Sequence, residues 1–287
     1  MMKKLLVIFP AFVLALSCGK QADPVSPAHS GEIVFTSEGV DVDMTTKAGE
    51  VTSLDAFNVN CVTGTPGLTE SSVFVVEFSK EGSNYTGGKF WPSTDTGYKF
   101  YASNASIVST ASGATIDATN QTDIVCAVCV NPQYRESNTL TFNHIFARLG
   151  KTTVTVQEGY TLENFSLTIT PRTGGRYNLY AGNGKSDGSG WTATTEGSAL
   201  TLADKSGVNS ATDTYLVPGS YTLTATYTLK KGDYSFTNSN VSKSLDIAGG
   251  KISEIKVSLA GGNAVDVFIS VSVTPWGSAT EKAISFA

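Results

Sequence analysis

Histidine is almost missing from this chain: His29 and His144 are the two in 287 residues. So few imidazoles, set so far apart, show no metal-ligand spacing, and no metal or other cofactor is expected. Basic residues form no block and the net charge is −5. Nothing is present to neutralise a row of phosphates, so nucleic acid is not an expected partner. No apolar run reaches the roughly 20 residues that a membrane-spanning helix needs. Helical periodicity is also absent, since no segment sustains it over three turns. A G-x-S-x-G elbow ahead of a helix is lacking, and with it the usual setting of a serine nucleophile. The carboxylates Asp41, Asp43, Asp117 and Asp123 lie beside turns without EF-hand spacing, and read as solvated turn residues rather than calcium ligands or a glycosidase pair. No residue is expected to be catalytic.

What is present begins with Met1-Met2-Lys3-Lys4 and an apolar run from Leu5 to Leu16, which stops at Ser17-Cys18-Gly19. Residues 1–17 are expected to be a secretory signal peptide. Ala15-Leu16-Ser17-Cys18 resembles the bacterial lipobox, in which small residues precede a cysteine that is acylated and becomes the new N-terminus. Cys18 is therefore the expected lipidation site. Each buried methylene contributes about 0.8 kcal/mol, so several acyl chains hold a protein to a membrane stably. Residues 18–30 are rich in Pro, Ala, Ser, Gln and Gly and read as a flexible tether.

The remainder reads as strands. Val265, Val267, Ile269, Val271 and Val273 alternate with polar residues at strict period two, as do Tyr221, Leu223, Ala225, Tyr227 and Leu229 with threonines between them. Ile255-Val257-Leu259, Phe165-Leu167-Ile169, Phe57-Val59-Cys61, Phe74-Val76-Phe78, Tyr98-Phe100-Ala102 and Ile124-Cys126-Val128-Val130 repeat the pattern. Each is expected to be a half-buried antiparallel strand. Turn clusters such as 63–67, 82–84, 217–219 and 261–263 separate them at the spacing of a β-sandwich. The expected fold is all-β, with two antiparallel β-sandwich domains, residues 31–140 and 141–287. The boundary falls where the strand ending at Val130 gives way to the polar turn Asn131-Pro132-Gln133.

Cys126-Ala127-Val128-Cys129 has redox spacing, but on a strand residues three apart face opposite ways, with Cα atoms about 10 Å apart against a disulfide limit of roughly 7 Å. A structural disulfide of Cys61 with one of this pair and buried free thiols both remain open. Gly184-Lys185-Ser186 lacks the preceding glycine and following helix of a phosphate loop and reads as a surface loop. His144 reads as a hydrogen-bonded structural histidine.

Three local features resemble the fimbrillin-like families of Bacteroidales. They are Phe90-Trp91-Pro92 with Tyr98-Lys99-Phe100-Tyr101-Ala102, then Phe142-Asn143-His144-Ile145-Phe146-Ala147-Arg148-Leu149 in the pattern F-x-H-x-x-A-x-[LV], then Val273-Thr274-Pro275-Trp276-Gly277. The resemblance implies a two-domain lipoprotein of transthyretin-like topology, carried to the outer membrane and cell surface, cut in an early loop, and polymerised by donor-strand exchange. In that process another subunit's strand fills the groove left by a lost one. Residues Glu32 to Met44 suit the removable strand, with Ile33, Phe35, Val40 and Val42 on alternating positions. The cut is expected in 45–49 at Lys47, where the family usually carries arginine. The donor strand is expected near the C-terminal end at Ile284 and Phe286, where an ordinary edge strand is the plainer reading. Expected partners are other fimbrial subunits, the outer membrane through the lipid, and receptors or glycans on host or bacterial surfaces. A second reading is a glycan-binding lipoprotein of a polysaccharide-uptake system. It rests on tryptophans that stack on sugars, with Trp191 after the glycine-rich loop 182–190 as the one placed to be exposed, while core packing is the default for Trp91, Trp191 and Trp276.

Overall fold

The computed structural model describes residues 31–38, 54–63, 71–91, 97–110, 113–120, 122–182, 185, 187–206, 214–260 and 267–275, with the backbone alone for 38, 110 and 267–275. In chain order the first strands are β1 (Glu32–Glu38), β2 (Ala56–Thr63), β3 (Ser71–Glu81), β4 (Asn84–Phe90), β5 (Tyr98–Ser103), β6 (Val108–Thr110), β7 (Gly113–Asp117), β8 (Val125–Cys129), β9 (Ser137–Thr141) and β10 (Asn143–His144). There follow β11 (Ala147–Val156), β12 (Thr161–Ile169), β13 (Arg172–Asn178), the single turn α1 (Leu179–Gly182), β14 (Trp191–Glu196), β15 (Leu200–Asp204), β16 (Tyr215–Leu216), β17 (Gly219–Lys231), β18 (Tyr234–Ile247), β19 (Lys251–Leu259) and β20 (Val267–Pro275). The fold is all-β. The short helix exists because the Asn178 side-chain oxygen accepts hydrogen bonds from the Tyr180 and Ala181 amides, an N-cap that ends with its one turn.

Two four-stranded sheets, β16-β11-β19-β20 and β15-β12-β17-β18, build a sandwich from the C-terminal part. Alternation fixes their inner faces. Strand β17 buries Tyr221, Leu223, Ala225, Tyr227 and Leu229, and Phe165, Leu167 and Ile169 of β12 and Ile255, Val257 and Leu259 of β19 join the same apolar cluster. Each such side chain contributes about 1.5–3 kcal/mol on full burial.

The N-terminal part makes an eight-stranded sheet in the order β10-β8-β5-β2-β3-β4-β1-β9. Leu140 at one end of that order and Val125 and Ala127 near the other line one cluster, with Ile33, Phe35, Phe57, Phe78, Phe100 and Phe142, so the sheet curls around its own core. No residue of this cluster follows Phe142, and none of the sandwich cluster precedes Ala147.

Two ladders depart from the antiparallel expectation. Strand β1 runs parallel to β9, and β11 parallel to β19. Parallel neighbours need a long crossover, and here the strands that lie between them in the chain provide it instead of a helix. A fourth sheet, β14-β13-β7-β6, joins strands from both parts of the chain. It covers a third apolar cluster in which Tyr101, Ile116, Ile124 and Cys126 meet Tyr177, Leu179, Tyr215 and Val217. Glycine makes this joint possible. A Cβ at Gly174 would lie 2.2 Å from the Ala118 carbonyl oxygen, and one at Gly175, where φ is +147°, 1.9 Å from that of Ala193.

Candidate assembly site

The site is β1 and the slot that holds it. On one side β1 pairs with β4 in antiparallel register, Val34 opposite Thr86 and Phe35 opposite Tyr85, after an irregularity between Glu32 and Val34. On the other it pairs in parallel with β9, from Val34 opposite Ser137 to Glu38 opposite Thr141. Ile33 and Phe35 point inward and are 0% exposed. The Phe35 ring meets Phe78 and Phe100 edge-on at 5.1 and 5.0 Å, with Phe57 at 6.4 Å. Such aromatic contacts add about 0.5–1.5 kcal/mol each beyond burial.

Polar side chains hold both faces of the strand. Ser37 donates to the Tyr85 hydroxyl at 3.2 Å, which donates in turn to the Leu54 carbonyl at 2.7 Å. Thr36 and Thr139 hydroxyls lie 3.1 Å apart, and the Gly88 amide donates to the Glu32 carboxylate. Strand β9 is a poor sequence signal for a strand because its inward positions are Asn138 and Leu140. Asn138 is occupied locally, accepting from the Gln133 amide and donating to the Gln133 and Glu136 carbonyls. Of the other residues expected to matter, Cys18, Val40, Val42, Lys47, Ile284 and Phe286 lie outside the described residues.

The three described thiols, Cys61, Cys126 and Cys129, are free. Cys61 and Cys129 both stand opposite Phe100, on β2 and β8 either side of β5. Two strand spacings separate them, about 9.6 Å, beyond the roughly 7 Å reach of a disulfide. Cys126 faces the third cluster instead, so the C-x-x-C pair points to opposite faces of β8. Burial pushes the Cys61 thiol up to about 12 and the Cys126 thiol up to about 12, the latter held back slightly by its hydrogen bond to Ser103. Cys129 is raised for the same reason, with a partly opposing hydrogen bond from the Asn131 backbone. These are poor nucleophiles. Among the described residues no group of three or more His, Cys, Asp or Glu could hold a metal ion.

His144 donates from Nδ1 to the Asp123 carboxylate at 2.8 Å, and the Asp123 side chain is fully buried. Asn104 donates to the Asp123 carbonyl and accepts from the Val125 amide, so one side chain fixes where β8 begins. The turn-residue reading of Asp123 is corrected here. Sequence reasoning missed this pair, for which the histidine inside F-x-H-x-x-A was the available signal. Trp191, for which core packing was the default, is half-buried against Phe146 at 5.0 Å and Tyr177 at 5.5 Å. Trp91 packs on Tyr98, Phe100 and Tyr134. Lys185 is exposed, and its carbonyl accepts from the Tyr177 hydroxyl.

The fimbrillin-like family model matches residues 37–276. The chain belongs to the fimbrillin-like family. Its fold is shared by a candidate cell adhesion protein from Parabacteroides distasonis at 9% identity, with 89% of this chain and 100% of that one covered and a TM-score of 0.54. A fimbrilin from Porphyromonas gingivalis W83 aligns at 8% identity over 88% of this chain and 99% of its own, with a TM-score of 0.46. No curated protein sequence matches this member of the family.

Proposed function

We propose that this fimbrillin-like chain is a structural and adhesive subunit of cell-surface fimbriae, without catalysis of its own, and that it assembles by proteolysis-triggered donor-strand exchange. In this reading the lipid on Cys18 holds it to the outer membrane, the domains are 31–140 and 141–287, and a cut at Lys47 frees β1. Other fimbrial subunits are the partners inside the polymer, and surface receptors or glycans are the partners outside it. The observation that carries the reading is the setting of β1. A strand at the start of the described chain supplies Ile33 and Phe35 to a core built by later strands, and its loss leaves unpaired backbone on β4 and β9 over an apolar groove. Such a groove recruits another strand.

The test is to cut the purified mature protein with a trypsin-like protease, identify the new N-terminus by mass spectrometry, and follow size by exclusion chromatography. One cut after Lys47 followed by polymer is the expected result. A cleaved chain that stays monomeric would remove the donor-strand mechanism. Labelled palmitate incorporated by the parent and not by Cys18→Ala tests the anchor. The half-buried packing of Trp191 gives the glycan-uptake alternative no support from that side chain.

A further inference from the structure

Force along the chain meets the two halves of this fold in opposite ways. Strands β1 and β9 run in the same direction, from Val34 opposite Ser137 to Glu38 opposite Thr141. The chain enters the first core at the start of β1 and leaves it past the end of β9, so entry and exit lie at opposite ends of that ladder. A pull between them runs along the strands, while the ladder's hydrogen bonds run across them. All of those bonds are loaded together. The other side of β1 is held in the same way, because drawing the strand lengthwise past β4 strains the antiparallel ladder as a whole too.

The exit is itself tied down. Directly after β9 the chain changes neighbours: Asn143 stands opposite Cys126 and His144 opposite Val125, and the Ile145 amide donates to the Ile124 carbonyl at 3.0 Å. One run, residues 137–145, therefore pairs with β1 at its start and with β8 at its end, and closes the eight-stranded sheet on itself. The side chains of β1 block lengthwise slip. A slip of one residue turns Ile33 and Phe35 to the other face, and a slip of two draws the Phe35 ring away from Phe57, Phe78 and Phe100. The hydroxyl contacts of Thr36 with Thr139 and of Ser37 with Tyr85 oppose the same movement.

The C-terminal sandwich is loaded differently. Strand β11 begins beside the start of β19, with Arg148 opposite Ile252, and β20 finishes at the same end, with Pro275 opposite Lys251. Entry and exit share one end, and a pull on Pro275 peels β20, the last strand in its sheet order, from β19 one pair at a time. We propose that the N-terminal part is a tension clamp: under load applied through the chain ends, β1 held between β4 and β9 resists as a sheared ladder and outlasts the C-terminal sandwich, which opens from β20. Only the source of the load, a membrane-tethered surface subunit, rests on the proposed function. The clamp belongs to the uncut chain and needs no strand exchange, so its failure and that of the donor-strand reading are separate results.

Forced unfolding is governed by the unfolding barrier, so the test is single-molecule pulling on the uncut mature chain without lipid. One handle is attached to the Cys18 thiol, and the three described cysteines are replaced by alanine. A second handle on Asn143→Cys shears the β1–β9 ladder, whereas one on Glu136→Cys opens the same ladder from its Val34–Ser137 end; both positions are exposed. The first geometry is expected to need a several-fold higher rupture force than the second. Equal forces, or the reverse order, overturn the clamp. With the second handle on Ala287→Cys, the weaker event is expected to release residues 147–275, roughly 430–460 Å of extended chain, and the stronger one residues 32–142, roughly 370–400 Å. If the shorter release comes first and at the lower force, the clamp does not outlast the sandwich and the proposal fails. Phe35→Leu is expected to lower the force of the shorter release and leave that of the longer one unchanged. An equal fall in both would mean that the ring stabilises the fold generally, and would overturn its part in blocking slip.

Discussion

The two ends of the chain solve the same packing problem in different ways. The C-terminal sandwich spreads its core over two sheets and seven strands, with β17 supplying the most, and fills it mainly with Leu, Ile, Val and Ala alongside Tyr221, Tyr227 and Phe165. The N-terminal sheet curls around a small network of rings, Phe35, Phe57, Phe78, Phe100 and Phe142, and places one of them on its first strand. A distributed core resists loss of any one element. A core that draws one of its rings from an early strand can be opened at that strand, which is what the proposed strand replacement would need.

The sharpest way to break this comparison is Phe35→Ala. It is expected to cost about 4 kcal/mol, against about 3 kcal/mol for Leu223→Ala in the sandwich, both read from urea unfolding. Hydrogen exchange is the discriminating measurement. Phe35→Ala should strip amide protection from β1, β4 and β9 while β12 and β17 keep theirs. Uniform loss across both parts would show that the two cores are not separable in this way.

The joint between them gives the second test. Ala118 and Gly175 exchange backbone hydrogen bonds of 2.8 and 3.3 Å, and a side chain at Gly175 would collide with the Ala193 carbonyl in a backbone conformation that favours glycine. Gly175→Ala is expected to cost about 3 kcal/mol and to split a single unfolding transition into two, because the fourth sheet is what couples the halves. A single transition with unchanged cooperativity would place the coupling elsewhere.

Legibility followed the same division. Strands β12, β17 and β19 could be read directly, because a one-sided core writes its alternation into the sequence. Strand β8 could be read on one face only. Its run Val125–Cys129 is apolar on both sides, since Val125 and Ala127 face the first core while Cys126 faces the third. Strand β13, Arg-Thr-Gly-Gly-Arg-Tyr-Asn, reads as a loop until the close approach of two neighbouring backbones explains its glycines. Strand β18 is long but turns a mostly polar face outward, which hides it among turn-like residues. For the site, the inward pair Ile33 and Phe35 was visible as alternation. Its partner β9 was not, because parallel pairing is decided by the closure of the sheet rather than by anything local to Ser137–Thr141.

A smaller effect comes from the buried pair beside the joint. His144→Ala removes a hydrogen bond to a carboxylate whose side chain is fully buried, and is expected to cost about 2 kcal/mol. Asp123→Asn with His144→Gln, which replaces the pair by amides, should recover part of that loss in the same urea series. If His144→Ala is neutral, the pair does not contribute to holding β8 and β10 in register.

The last difference is chemical. Cysteine occurs at 18, 61, 126 and 129 and nowhere in the C-terminal sandwich. Cys61 lies in the first core and Cys126 in the shared one, each raised from 9.0 to about 12 by burial. Below pH 9 both thiols are protonated whether the chain is folded or not, and they make no difference to stability with pH. Above it the unfolded chain releases protons that the folded chain retains, so the unfolded state is favoured increasingly until the folded thiols titrate near pH 12. Each thiol should then lower stability by about 1.4 kcal/mol per pH unit between those limits. Urea midpoints at pH 8 and pH 10 should separate more for the parent than for Cys61→Ala with Cys126→Ala, and exchange in β12 and β17 should be the last to respond. Equal sensitivity in the double variant would mean that other groups set the alkaline limit, and that the two cores do not differ in this respect.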